Sequence, residues 1–311
     1  MNAEVFARHI PLFGISVDAL EALAAAFVER TLSRGEALFE RGKHRGELTI
    51  VLDGEIELVA PLGNVIVPMI IFQPFDIISA RSLFEHDGIH NQSAHARSDT
   101  ARVAQMTEQA YKQILSVHPD IERALLSYII SVLDDRLDHA NRKLLSLVAV
   151  GRAAVTSITH QELGQQIVPL LGDTLRATKV ALLRHVVGRW IIIASHGFDA
   201  LLWVPGSVKI TDEVLGQITD HQESQWVLGS RATALTDYGV REMIMTGCFK
   251  NDQCIGALVI ADRQGAAFSV NTILHMETIA HIVAGGFTRL DEQEITRGAQ
   301  AVKQHYIQPF S

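Results

Sequence analysis

The chain lacks the marks of several large functional classes. It has only two cysteines, Cys248 and Cys254, in 311 residues. That is no disulfide framework, and it points to a reducing cytoplasmic setting. Glu4, Arg8 and His9 precede any long apolar run, so the N-terminus does not read as a signal peptide. The most apolar stretches, such as Val65 to Phe72, are far too short to span a bilayer. Net charge is -8, with no basic block to track a phosphate backbone, so neither a membrane nor nucleic acid is expected as a partner. There is no Ser-His-Asp order with a nucleophile elbow, no Walker-type phosphate loop and no HExxH. The expectation is therefore a protein that is not an enzyme, with no cofactor clearly implied and no metal site.

What is present is ample apolar material in a chain of two-domain length. Hydrophobic residues make up 48% and charged residues 20%, which fits a globular protein with real cores. Residues 16–30 carry Val17, Leu20, Leu23, Ala24 and Phe27 at helical spacing. The period then changes. Gly35, Gly42, Gly54 and Gly63 punctuate short runs rich in Val, Ile and Leu, and the clearest predicted strands are Leu48 to Leu52 and Glu55 to Val59. Short strands with regular turn signals predict a jelly roll or β-roll.

From Ile121 the helical period returns. Leu126, Ile130, Leu133, Leu137, Ala140, Leu144 and Leu147 follow a 4-3-4-3-4-3 spacing, the a/d seam of a coiled coil. A lone amphipathic helix packed on its own domain is the simpler reading; the narrow, regular seam favours a homodimer. Gly151 is expected to loosen this helix, and Thr159-His-Gln-Glu162 matches a capping box that starts the next one.

The second half alternates strands and helices. Lys179 to Val187 and Arg189 to Ser195 read as a hairpin turning near Gly188, and Glu242 to Lys250 with Cys254 to Asp262 as a second. Residues 211–220 read as a helix, and Ser269 can cap a last one. The predicted organisation is 1–120, a connecting coiled-coil helix 121–150, a second domain 156–290 and a helical tail 291–311. The predicted fold class is α+β.

Several groups invite a chemical reading. His86, His90 and His95 lie near Glu85 and Asp87, but their irregular spacing in a loop favours exposed histidines over metal ligands. Cys248 and Cys254 are placed to face each other across a hairpin, where two buried thiols are a simpler reading than a redox switch. Trp203 and Trp226 are candidates to stack on a flat ligand, against core packing as the simpler account.

Two resemblances sharpen these expectations. Ile10-Pro-Leu-Phe13, Leu32-Ser-Arg-Gly-Glu-Ala-Leu-Phe-Glu-Arg-Gly42 and Thr49-Ile-Val-Leu-Asp-Gly54 resemble the catabolite-activator type of cyclic-nucleotide-binding domain. The resemblance covers about residues 8–148 and implies a β-roll followed by a long dimerisation helix. In that family a Gly-Glu pair opens a short helix in the phosphate cassette, and an Arg about a dozen residues later meets the phosphate. Here Phe75-Asp-Ile-Ile-Ser-Ala-Arg-Ser-Leu83 and Asn91-Gln-Ser-Ala94 stand in those places. Ser79 and Ala80 replace the Gly-Glu pair and Gln92 replaces the Arg; Arg81 or Arg97, with Ser93, are the remaining candidates. Each lost charged hydrogen bond removes about 1.5–3 kcal/mol, or roughly one to two decades of affinity.

Thr156 to Leu290 resembles a GAF domain, a small-molecule sensor with an antiparallel sheet between helices. Cys254-Ile-Gly-Ala-Leu-Val-Ile-Ala-Asp-Arg263 followed by Phe268-Ser-Val is the best-matched stretch. The cyclic-nucleotide signature of that family is partly matched by Asp262-Arg263 and Phe268, while Thr272 and Ile273 replace its acidic end. The pocket residues implied are Trp203, Trp226 and Asp262. Together the resemblances imply a dimeric cytoplasmic sensor. It would have a degenerate cyclic-nucleotide site, a small-molecule ligand for either module, and an unidentified protein partner or output domain. The alternatives are the regulatory front of a signalling enzyme such as a nucleotide cyclase, and a ligand-free dimerisation scaffold.

Overall fold

The computed structural model describes residues 3–10, 12–62, 65–85, 87–209, 212–221, 224–228, 238–265 and 267–306. It is a mixed α/β structure with antiparallel sheets and a long helix. The chain forms two compact units, Met1–Asp138 and His139–Ser311.

The first unit opens with α1 (Ala3–His9) and α2 (Val17–Ala25). The Ser16 hydroxyl accepts the Ala19 N–H at 3.2 Å and so caps α2. The helix expected over 16–30 stops at Ala25. Phe27 turns into the core, and the chain from Val28 is taken up as a strand paired with Thr100 to Gln105. Eight strands follow: β1 (Val28–Ser33), β2 (Ala37–Phe39), β3 (Glu47–Asp53), β4 (Ile56–Leu62), β5 (Val65–Phe72), β6 (Ile77–Ile78), β7 (Ser93–Ala96) and β8 (Thr100–Thr107). They form two antiparallel sheets of four, in the orders β1-β8-β3-β6 and β2-β7-β4-β5.

The first sheet is apolar on both faces. Leu32, Val51, Ile78 and Val103 meet Ile56, Phe72, Ala94 and Ala96 of the second sheet. Leu48, Ile50, Ile77 and Met106 point the other way, onto α1, α2 and α3 (Glu108–Leu115). Each such side chain contributes about 1.5–3 kcal/mol on full burial. The turn between β3 and β4 needs Gly54: at φ +75° its Cβ would lie 2.4 Å from the Thr100 carbonyl oxygen.

Helix α4 (Asp120–Thr156) starts in the first unit, where Ile121, Leu125 and Ile129 are buried, and ends in the second, where Val150, Ala153 and Ala154 are buried. Gly151 does not interrupt it, because the flanking Val150 and Ala153 are pinned in that core.

In the second unit Thr159 caps α5 (His160–Leu175), accepting the Glu162 N–H at 3.1 Å. Glu162 returns the contact by accepting the Ile158 N–H at 2.9 Å, close to the capping pattern in the sequence. Strands β9 (Ala177–Val186), β10 (Arg189–His196), β11 (Val208–Lys209), β12 (Gln225–Leu228), β13 (Glu242–Lys250) and β14 (Gln253–Arg263) make one antiparallel sheet, ordered β11-β10-β9-β14-β13-β12. Both predicted hairpins are present, turning through Val187-Gly188 and Asn251-Asp252, all four at positive φ. β14 is buried on both faces from Cys254 to Ala261, so it reads in sequence as a continuous apolar run. α5 and α7 (Val270–Tyr306) cover one face, and α6 (Glu213–His221) packs on the other. The last helix runs on without interruption past the expected domain boundary at 290 as far as Tyr306, with Leu290 buried in the core; residues 307–311 of the expected tail lie outside the described residues.

Candidate functional site

Ser79 and Ala80 stand where the resemblance implies the Gly-Glu pair of a phosphate cassette. Ser79 sits at φ +58°, the left-handed conformation that a glycine adopts without cost. It starts the short 3-10 turn Ala80–Leu83, and the Ser82 hydroxyl, fully buried, donates to the Ser79 carbonyl. Ala80 has no side-chain acceptor to take the place of the Glu that the resemblance implies. Arg81 points outward, 71% exposed, with Nη2 3.2 Å from the Glu85 carboxylate. Glu85 also holds Arg45.

The other candidates are engaged as well. Gln92 Nε2 approaches only the Met69 sulfur, at 3.6 Å. The Ser93 hydroxyl accepts the Arg41 N–H at 3.0 Å. Arg97 is bonded to Glu55 at 2.5 Å and lies 4.0 Å from Glu57. Both arginines that were candidates to meet a phosphate are thus paired with carboxylates. A phosphate would have to displace a partner that already neutralises the guanidinium.

On the flank of the roll a cleft of about 480 Å³ is lined by Phe39, Lys43, His44, Glu47 and His90 among others. His90 stacks on Phe39 with centroids 3.7 Å apart and planes at 8°. Burial, then the charge of Arg45, pushes its pKa down to about 4. It is a stacked, neutral ring, not the exposed histidine expected. His86 lies outside the described residues.

In the second unit Trp203 and Trp226 do not share a cavity. Trp203 belongs to the core on the α6 side of the sheet, whereas Trp226 packs on the α5/α7 side. The alternation of side chains along β12 explains this: Val227 takes the α6 side and its neighbour Trp226 the other. Trp203 forms an aromatic box with Phe198, stacked at 4.2 Å, and Tyr238 at 5.5 Å. Lys209 Nζ occupies the box, 4.7 Å from the Trp203 centroid and 4.4 Å from that of Tyr238. Tyr238 donates to Asp212 at 2.6 Å. Phe198, Lys209 and Tyr238 carry no periodic or motif signal, so nothing in the sequence points to them.

Asp262 stands apart from that box, at φ +51° near the end of β14. Its carboxylate accepts the Arg241 N–H at 2.7 Å and Lys179 Nζ at 3.0 Å. Burial alone would raise its pKa; these two bonds outweigh burial and hold it below the usual carboxylate range. It ties a loop to the sheet.

Cys248 and Cys254 are both free and buried, but on opposite faces of the sheet. A one-residue irregularity between Cys248 and Phe249 sets Cys254 opposite Phe249. Among the described residues His160, Asp291 and Glu294 bring three possible metal ligands together. There the two ring nitrogens lie 3.0 and 3.4 Å from different carboxylates, and Arg184 also holds Asp291.

Along α4, Leu126 is half-buried, whereas Ile130, Leu133, Leu137 and Leu144 are 63, 49, 60 and 61% exposed. Leu147, the last seam position, packs instead on the core of the second unit.

No family model matches the chain, and no curated protein does. Solved structures are similar to its N-terminal part. The N-terminal domain of a transcriptional regulator from Streptomyces coelicolor is 24% identical over 40% of this chain and 90% of its own, at a TM-score of 0.36. The catabolite activator protein of Thermus thermophilus is 19% identical over 50% of this chain and 78% of its own, at 0.37. A cyclic nucleotide-binding domain from Methylobacillus flagellatus is 20% identical over 43% of this chain and 80% of its own, at 0.39. At these values the similarity assigns no ligand to the chain. No helix among the described residues is long and apolar enough to cross a membrane.

Proposed function

We propose that this protein is a homodimeric, non-enzymatic sensor. A double-sheet roll of the cyclic-nucleotide-binding type, with its phosphate grip disabled, is joined through α4 to a GAF-like second unit, and the pair regulates a protein partner. A ligand favouring one arrangement of the joining helices would bias the other unit through them, since coupling between two sites is reciprocal. The sheet flanked by α5 and α7 on one side and α6 on the other supports the GAF-like reading. The observation that carries the proposal is the row Ile130, Leu133, Leu137 and Leu144, spaced for a coiled-coil seam and uncovered on a helix anchored in two cores. A solitary subunit would leave that row in water; a second copy of α4 covers it.

Light scattering on the full chain tests this. A mass of twice 34.2 kDa is expected, and a monomer at micromolar concentration would refute the proposal.

A further inference from the structure

On the α5/α7 side of the second unit, a group of basic side chains comes together with no carboxylate in ion-pair contact among the described residues. His139, Arg142, Lys143 and Ser146 recur at helical spacing along α4. Two contacts place this stretch against the start of α7: the Ser146 hydroxyl is 2.7 Å from His275 Nε2, and Lys143 Nζ donates to the Asn271 carbonyl at 3.4 Å. From the sheet side comes Arg263, at the end of β14, whose guanidinium donates to the Ala267 carbonyl at 3.0 Å. Arg263 is paired in register with Ala177, and the Gln264 N–H donates to the Arg176 carbonyl at 2.8 Å, so Arg176 joins the group from the end of α5.

Among the described residues none of Arg142, Lys143, Arg176 and Arg263 has a carboxylate within ion-pair distance. Arg142 Nε is shut off from solvent and has no acceptor among those residues. Glu242 is the carboxylate that bears on Arg263, and its two oxygens are occupied by the Arg263 and Phe268 N–H groups, at 3.3 and 3.1 Å. Surface cations are ordinary. Four converging on partly buried ground, with an unsatisfied guanidinium nitrogen among them, are an electrostatic cost to the folded state unless an anion shares the site. Two guanidiniums suit the flat, multiple acceptors of a phosphate group, and the positive end of α7 adds to the field.

We propose that this cluster binds a small phosphate-bearing anion of at least two negative charges, with Arg142 and Arg263 as its main contacts and Lys143 and Arg176 at its edge. The two histidines support this. Burial, then Lys143 and Arg142, with Arg263 and Arg176 after them, hold His139 down to about 4. Burial, then Lys143 and His139, do the same for His275. A bound anion offsets those cations, so both imidazoles should titrate at higher pH in the complex. Between the free and the raised values of the two histidines, binding therefore takes up protons. The site needs neither a dimer nor the first unit's cassette.

Inorganic pyrophosphate is the probe, added to the full chain at constant ionic strength. Isothermal titration at pH 7 should give saturable binding below millimolar Kd, and imidazole NMR should show the His139 and His275 signals moving with the same saturation. Arg142→Gln with Arg263→Gln should weaken binding at least tenfold, while Arg152→Gln, an exposed position on the same helix outside the cluster, should leave it unchanged. Without the anion, Arg142→Gln should not lower the melting temperature, because it removes an unmatched cation. If the double variant does not fold, Lys143→Met is read instead and should weaken binding severalfold. No saturable heat, or the same affinity in the variants as in the parent chain, would overturn the proposal.

Discussion

Arg81 Nη2 lies 3.2 Å from the carboxylate of Glu85, one helical turn further on, so the cation that remains in the cassette is already neutralised. Because Glu85 binds Arg45 as well, the pairing is part of a network and not a chance surface contact. On the proposed reading, this stretch is a cassette without its ligand chemistry. Restoring that chemistry should restore the function. Ala80→Glu with Gln92→Arg is expected to tighten cyclic AMP binding by about ten- to a hundredfold for each restored contact. Competition against a fluorescent cyclic nucleotide measures it; no gain in the double variant would mean that the roll itself cannot hold the ring.

The seam on α4 makes a separate prediction. Leu133 and Leu137 are 49% and 60% exposed, so replacing both with lysine removes no core packing in the subunit. In a dimer the same change places like charges across a dry interface. Leu133→Lys with Leu137→Lys should give monomers by light scattering and leave circular dichroism unchanged. Persisting dimers would move the interface elsewhere.

The two thiols should be inert. Burial pushes the Cys254 pKa up to about 11, and that of fully buried Cys248 higher still. Since they lie on opposite faces of the sheet, no disulfide should form between them. A thiol-reactive probe at pH 8 should label both cysteines only on the timescale of unfolding, and mild oxidant should leave the intact mass unchanged. Rapid labelling, or a loss of two hydrogens, would contradict this.

Acid should weaken the fold in a particular window. His90, His139 and His275 each have an ordinary value of 6.5 and fall to about 4 in the structure, burial being the largest cause. Between those values the unfolded chain binds more protons than the folded one. The stability they confer is complete above about pH 6.5 and is lost as pH falls through about 4, by at most about tenfold in the folding constant per pH unit and per histidine. Urea midpoints at pH 7.5, 6 and 5 should fall in that order, and His275→Gln should flatten the profile. A midpoint independent of pH would remove the basis for three neutral histidines.

Much of the architecture was legible because period and punctuation carry it. The two hairpins, the capping pattern at Thr159 and the buried run of β14 all follow from local chemistry. The misreadings have physical causes. Residues 26–30 keep a helical pattern in sequence, but pairing of Val28 to Ser33 with β8 outweighs local preference. Gly151 is tolerated because its neighbours are buried. Which face Cys254 takes depends on an irregularity between Cys248 and Phe249 that no pattern announces, and this separated the two cysteines. The missing charges of the cassette could be read from Ala80 and Gln92. The pairing of Arg97 could not, since Glu55 lies 42 residues from it.

Calorimetric titration of the unaltered full chain with cyclic AMP tests the central claim most directly. No saturable heat up to millimolar nucleotide is predicted, because Ala80 and Gln92 lack the charges the resemblance implies and Arg81 and Arg97 are already paired with carboxylates. A micromolar dissociation constant with one nucleotide bound per chain would contradict it.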